Sequence, residues 1–251
     1  MRSVFKLESD KLKKSLTFWG LAGTLLFLLS TIFYRLLLDY LVINNTAFTD
    51  QNQMPNVALT VIQPYFSWSA LLFVFIIPLI TMNTLSGEKR DNTFHLIASA
   101  PISALDYLGG KFLAYSKYLL AFLLLVLLPP VTLAFNADID FGILFSSLIA
   151  IALLDFSFIS LGIFWSSLFT APYVAAGVTC LSAFGLLMID WINPFGSRLT
   201  ELTQSLSLLR HAYGLFQGQL ILQDLGFYFI FIFVLLTLSW RIIDHKLISL
   251  H

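Results

Sequence analysis

The chain contains a single cysteine, Cys180, set in an apolar run, so an intramolecular disulfide and a multi-cysteine metal site are both excluded. Cys180 reads as a small packing residue. Charge is scarce as well: only 11% of the 251 residues are Asp, Glu, Lys or Arg, and the 14 basic residues cancel the 14 acidic ones. A net charge of zero provides no field that would attract nucleic acid. The phosphate-binding pattern G-x-x-x-x-G-K-[ST] is also missing, since Gly109-Gly110-Lys111 lacks the first glycine at the required spacing. What remains is apolar: 58% of the residues are hydrophobic and 25 are Phe, well beyond the composition of domains that face water.

The solvent for this surface is therefore a bilayer, and the fold class expected is an all-α membrane protein forming one transmembrane domain over 1–251. A helix needs about 20 apolar residues to cross the hydrocarbon core, because unsatisfied backbone groups in lipid cost several kcal/mol each. Six stretches qualify, at about 16–38, 65–85, 112–135, 141–165, 173–192 and 225–243. The third and fourth are joined only by Asn136 to Asp140, a tight hairpin. The basic N-terminal stretch before the first run resembles a signal peptide, yet the run is too long and no small-residue cleavage pattern follows. It reads instead as an interfacial helix with Val4, Leu7, Lys11 and Lys14 on adjoining turns.

Orientation follows from the placement of Lys and Arg, which are retained in cytoplasmic loops. With both termini inside, most basic residues fall on the cytoplasmic side, and only Arg35, Arg198 and Arg210 lie outside. Trp19, Trp165 and Trp240 then mark the inner interface and Trp68 and Trp191 the outer one. Outside the membrane, the segment 193–224 carries Leu199, Leu202, Leu206 and Leu209 at helical spacing, which predicts an amphipathic helix broken by Gly214 and Gly218. A helix in that position leaves room for a periplasmic partner.

The inner connection between spans two and three is the most informative piece. It runs Leu85-Ser-Gly-Glu-Lys-Arg-Asp-Asn-Thr-Phe-His-Leu-Ile-Ala-Ser-Ala-Pro-Ile-Ser103, polar, then apolar, then broken at Pro101. Asp91 or Asn92 is placed to cap a short helix carrying Phe94, Ile97 and Ala98, and Ser103 with Asp106 forms a capping box that opens the next helix. Taken alone, the segment reads equally as a rigid lever or as an ordinary inner loop with solvated charges.

Here the sequence resembles the permease subunits of ABC-2 type exporters, and within them the gliding-motility-associated group. The resemblance rests on Ile77-Pro-Leu-Ile-Thr-Met82, Ser86, Glu88-Lys89-Arg90, Thr93, Leu96, Pro101-Ile102-Ser103 and Gly110-Lys111-Phe112, with a second patch at Ser205-Leu206, Gly218, Asp224, Tyr228-Phe229 and Leu236-Thr237. Two positions depart from it, Asn83 where a basic residue is frequent and Asn92 where Gly is frequent. The resemblance implies a six-span half-transporter in a bacterial inner membrane, working with a second permease subunit, identical or not. It implies too that segment 86–103 docks on a separate cytoplasmic ATPase subunit, which would carry the ATP and Mg; none is bound by the chain itself.

The coupling residues so implied are Glu88, Lys89, Arg90, Thr93, Phe94, Leu96, Ile97 and Pro101. A carboxylate at Glu88 can bridge to a cation on the ATPase or on a neighbouring inner helix, or simply mark the membrane boundary; Lys89 and Arg90 suit either lipid headgroups or the ATPase. Asp155 is the one acid well inside a span, which makes it a candidate for the transport path or for a buried hydrogen bond to Ser or Thr. His95 has no companion at ligand spacing. A non-transporting scaffold of an envelope machine is one rival reading, and an intramembrane enzyme, which would need a second catalytic group near Asp155, is another.

Overall fold

The computed structural model describes residues 1–47, 57–94, 103–133, 140–189 and 205–248, and among these every regular element is helical. In chain order they are α1 (Arg2–Lys14), α2 (Leu16–Ala47), a π-helical turn (Ala58–Ile62) leading into α3 (Gln63–Thr81), α4 (Ser86–Arg90), α5 (Ala104–Thr132), α6 (Phe141–Leu168), α7 (Pro172–Met188), α8 (Leu208–Phe216) and α9 (Leu222–Ile248).

Five helices among the described residues are long and apolar enough to cross a bilayer: Leu16–Asn44, Ala58–Arg90, Ala104–Thr132, Phe141–Leu168 and Leu222–Lys246. The expected fifth of six spans, 173–192, is a shorter apolar helix, Pro172–Met188, of 17 residues. At 1.5 Å per residue it covers about 25 Å, less than the hydrocarbon core, and 190–192 lie outside the described residues. Helix boundaries also differ from the hydropathy windows. α5 begins eight residues before its apolar run because Ser103 Oγ accepts from Asp106 N at 3.1 Å; the N-cap half of the expected box forms, and Asp106 Oδ2 accepts from the Ser103 hydroxyl at 3.0 Å rather than from its amide. α6 opens on Asp140, whose Oδ1 accepts from Gly142 N at 2.8 Å.

α6 is the axis of the bundle. It packs against α3, α5, α7, α8 and α9, and is apolar on all sides. Its serines are buried, and Ser146, Ser157, Ser160 and Ser167 return their hydroxyl protons to carbonyls one turn back, so small side chains permit close helix approach without orphaned polar atoms. The tightest crossing is at Gly162: a Cβ there would lie 2.1 Å from Thr81 Oγ1 on α3.

Prolines inside the helices leave carbonyls without their usual donor four residues later. Pro130 does this to Val126, and the Tyr65 hydroxyl of α3 donates to that carbonyl at 2.9 Å. Pro78 does the same to Val74. Thus an apparent weak point of α5 is a joint between helices.

At one end of the bundle lie α1, α4, the start of α5 and the last turns of α6 and α9, so the two terminal segments share that end. At the other lies α8. Its buried residues are Leu208, Ala212, Leu215 and Phe216; of the amphipathic stripe expected through Leu206 and Leu209, Leu206 is exposed and Leu209 is half-buried against the core. Leu199 and Leu202 lie outside the described residues. The helix passes through Gly214 and stops at Gly218, whose φ of 87° lets Gly218 N bond Leu215 O at 3.1 Å and Gln219 N bond Gly214 O at 3.0 Å.

Gly162→Val is expected to lower the thermal unfolding midpoint in detergent, corresponding to about 1–3 kcal/mol of overpacking. Gly177→Ala, where an added Cβ meets nothing within 4 Å, leaves the midpoint unchanged.

Candidate functional site

The polar machinery gathers where α1, α4 and α5 meet. Gly110 makes the meeting possible, because a Cβ there would lie 2.9 Å from Val4 Cβ and 3.1 Å from Phe5 N of α1. Glycine removes that barrier, α1 lies directly on α5, and the next residue, Lys111, enters the seam. Its ammonium has three acceptors for its three protons: Glu88 Oε1 of α4 at 2.6 Å, Glu8 Oε2 of α1 at 3.3 Å and Thr84 O at 2.7 Å.

The carboxylates are held in turn. Tyr107 donates to Glu88 Oε2, Tyr115 donates to Glu8 Oε1 at 3.4 Å, and Lys11 stands 3.6 Å from the same Glu8 oxygen. The Lys111 ammonium also sits 5.0 Å from the centroid of the Tyr107 ring. Lys111 and Glu8 are each only 1% exposed and Glu88 12%. With Lys11 included, two anions face two cations, so the burial is electrically balanced.

α4 is fixed from a second direction by the end of α6. Ser166 Oγ accepts from Leu85 N and Ser86 N, both at 2.9 Å, and so caps a helix on another part of the chain. Lys89 Nζ donates to Ser166 O at 3.2 Å and to Ser167 O, while Lys246 of α9 donates to Ser167 O at 3.1 Å. Both lysines thereby meet the carbonyl-rich C-terminus of α6, where its dipole favours positive charge. The face of α1 turned to the bundle is made by Val4, Glu8, Ser9 and Leu12, and Leu7 is exposed.

The sequence assigns Asp91 or Asn92 to the cap of a short helix carrying Phe94, Ile97 and Ala98, most of which lies outside the described residues; on their other side the same two residues close α4. Asn92 takes a φ of 55°, Asn92 N bonds Lys89 O at 3.3 Å and Thr93 N bonds Glu88 O at 3.0 Å. This left-handed position suits Gly or Asn, which explains physically why either residue serves there. Beyond it, Phe94 is buried with its ring 6.5 Å from that of Tyr107.

The candidate coupling residues therefore divide. Glu88, Lys89 and Phe94 are turned inward onto the bundle, whereas Arg90, paired with neighbouring Asp91, and Thr93 are exposed. His95, Leu96, Ile97 and Pro101 lie outside the described residues. Glu8, Tyr107, Tyr115, Ser166 and Lys246 have no motif in the sequence that marks them. The glycine pair before Lys111 is the one local signal of this seam.

Asp155 stands apart from this cluster, deep in α6. It is 0% exposed, and neither carboxylate oxygen has a hydrogen-bond partner among the described residues. Asp155, Gly162 and Ser166 are seven and eleven residues apart and share one helix face, the face that meets Thr81 and Ser86. Seven residues back from Thr81 is Val74, whose carbonyl Pro78 leaves without an amide donor. Two polar groups thus lie at one depth on neighbouring helices.

An all-helical, multi-pass membrane protein whose charged side chains are concentrated at one end of the bundle is the class that fold and site define. Residues 37–241 match the family model described as ABC-2 family transporter protein, and the chain belongs to that family. It is a permease component, a membrane part of a transporter without ATPase motifs of its own. No curated protein matches the chain significantly. The matched range includes Glu88 and Lys111 but leaves out α1 and with it Glu8.

Lys111→Met strands two buried carboxylates and is expected to cost about 3–5 kcal/mol of stability. Adding Glu8→Gln and Glu88→Gln to that variant should recover most of the loss, read as the unfolding midpoint and as protection of α1 from protease.

Proposed function

We propose that this chain is the membrane-spanning half of an ATP-driven exporter in a bacterial inner membrane. Both termini face the cytoplasm, α7 makes the sixth crossing, and the segment 86–103 docks on a separate ATPase subunit that binds ATP and Mg. Two permease halves, identical or not, make up the membrane part. The sequence motifs quoted above favour the gliding-motility-associated group within the family.

The observation that carries this reading is the double anchoring of α4. A segment that transmits force must be stiff relative to the helices it moves, and α4 is bonded to α5 through Glu88 and Lys111 and to α6 through Ser166 and Lys89. A push on its exposed side, where Arg90 and Thr93 stand, passes to both. In this account Glu88 is an internal strut, and Arg90 and Thr93 face the ATPase. The long axis of α6 carries the displacement toward Asp155, which stays the candidate for the transport path.

Affinity purification from the native membrane in mild detergent tests the partner directly, and an ATPase with a phosphate loop is expected to co-purify. Arg90→Ala with Thr93→Ala should weaken that co-purification about tenfold, in the range of losing a few interface contacts. Glu88→Ala should retain the ATPase and reduce stimulation of its activity. Purification of the chain alone, with no ATPase at any detergent strength, would sink the exporter assignment.

Asp155→Asn keeps the volume and hydrogen-bonding capacity of the side chain while removing its acid. Normal assembly with loss of export is the outcome expected, scored by ATPase recovery and by substrate efflux in the same cells. Unchanged efflux would remove Asp155 from the path.

A further inference from the structure

At the α8 end, a groove of about 610 Å³ opens between α3, α7 and α8. Along α3 its wall is formed by Ser67, Trp68 and Leu71, residues on one face of the helix, with Ala70 at the floor. Leu187 of α7 forms the opposite wall, and α8 contributes Arg210 and Tyr213 at the rim. Trp68 and Tyr213 are both half-exposed.

Its size lies within the ~300–1,000 Å³ range of ligand pockets, and its chemistry narrows the occupant. The walls are mostly apolar with very few polar groups, which is unsuited to a sugar or a nucleotide. Peptides that bind by strand addition need a sheet edge, and the helices here satisfy their own amides. An apolar trough with one guanidinium and two amphipathic rings at its mouth matches a molecule that has an apolar chain and an anionic head. Trp and Tyr occupy the headgroup level of membranes, and a guanidinium binds phosphate through two parallel N–H donors. Arg210 has an engagement within the protein, and its guanidinium carries five N–H donors in all.

We propose that this groove binds one phospholipid of net negative charge from the leaflet on the α8 side, with its phosphate on Arg210 and an acyl chain laid between Leu71 and Leu187. The lipid would brace α3 against α7 and α8 at the end of the bundle farthest from α4. The proposal requires the α8 end to lie at a membrane surface and requires nothing of the ATPase.

The test uses the full chain with Trp19, Trp165, Trp191 and Trp240 replaced by Phe, so that Trp68 is the single reporter. It is reconstituted in phosphatidylcholine vesicles with bromine carried either on phosphatidylglycerol or on phosphatidylcholine. Quenching of Trp68 is expected to favour the anionic lipid about fivefold, the scale of one basic side chain near an anionic headgroup. Arg210→Gln should abolish the preference, Arg35→Gln on α2 should preserve it, and Ser67→Phe should reduce quenching by both lipids. Free inorganic phosphate should not compete, which separates a lipid headgroup from a bare anion. Native mass spectrometry of the unsubstituted protein gives a second readout, with retained phosphatidylglycerol lost in Arg210→Gln. Equal quenching by the two lipids, a preference that survives Arg210→Gln, or relief by inorganic phosphate would overturn the proposal. Shielding of Trp68 from both lipids would overturn it too, and would point to a protein segment in the groove. Because no step involves ATP, failure here leaves the exporter reading standing, and absence of an ATPase leaves this result intact.

Discussion

A lysine that enters a helix seam beside two glutamates governs how one end of this molecule is built. Lys111 joins three segments far apart in sequence, and none of the three ion-pairing groups is stable in that place without the others. An ammonium taken out of water loses solvation worth several kcal/mol, which is restored only when each proton finds an acceptor. The three acceptors here supply that, and two of them, Glu8 and Glu88, require α1 and α4 to be where they are. Position is thereby specified by electrostatics, while the bulk of the attraction between α1 and α5 comes from ordinary apolar contact at Val4 and Leu12. The glycine at 110 precedes all of this, since without close approach of α1 the carboxylate of Glu8 would not reach.

The burial of α6 among its neighbours was not legible in the sequence, whereas the apolar runs were, because hydropathy is a local property. The same holds for Ser103 and Asp106, whose capping contact needs three residues of spacing and nothing else. Pairings across the fold were not legible. Glu8 and Lys111 are 103 residues apart, and no periodicity links them. The stripe of α8 failed at Leu206, which precedes the Ser207 cap, so leucines on both sides of a helix start had been joined into one pattern. For α7 the apolar run continues beyond the helix that is described, and composition alone does not say where a helix ends. Lys89 illustrates a different obscurity: it reads as a surface charge in the sequence, and it serves as a helix cap in the fold.

Family membership covers the body of the chain and stops short of α1. The reinforcement of α4 therefore comes from two sources, one within the shared domain, through Lys111 and Ser166, and one outside it, through Glu8. Residues inside the matched range fix α4 on the bundle, and α1, before that range, adds Glu8 to the ion pair. The carbonyls of Val126 and Val74 both lose their amide donor to a proline, and the one at Val126 is answered from α3 by the Tyr65 hydroxyl.

The crossing of Gly162 with Thr81 has a mechanical consequence. Because only the Thr81 side chain stands between the two backbones there, the contact is suited to act as a fulcrum set close to one end of α3. α3 ends at Thr81 itself and a turn of four residues leads to Ser86–Arg90, whereas Gln63 lies about 27 Å away at the other end of the helix, at 1.5 Å per residue. The two arms are unequal, so a tilt about this point would sweep the Gln63 end of α3 through a longer path than the α4 end. Such a lever would gain reach at the expense of force, as a long oar does when its pivot is set near the hand.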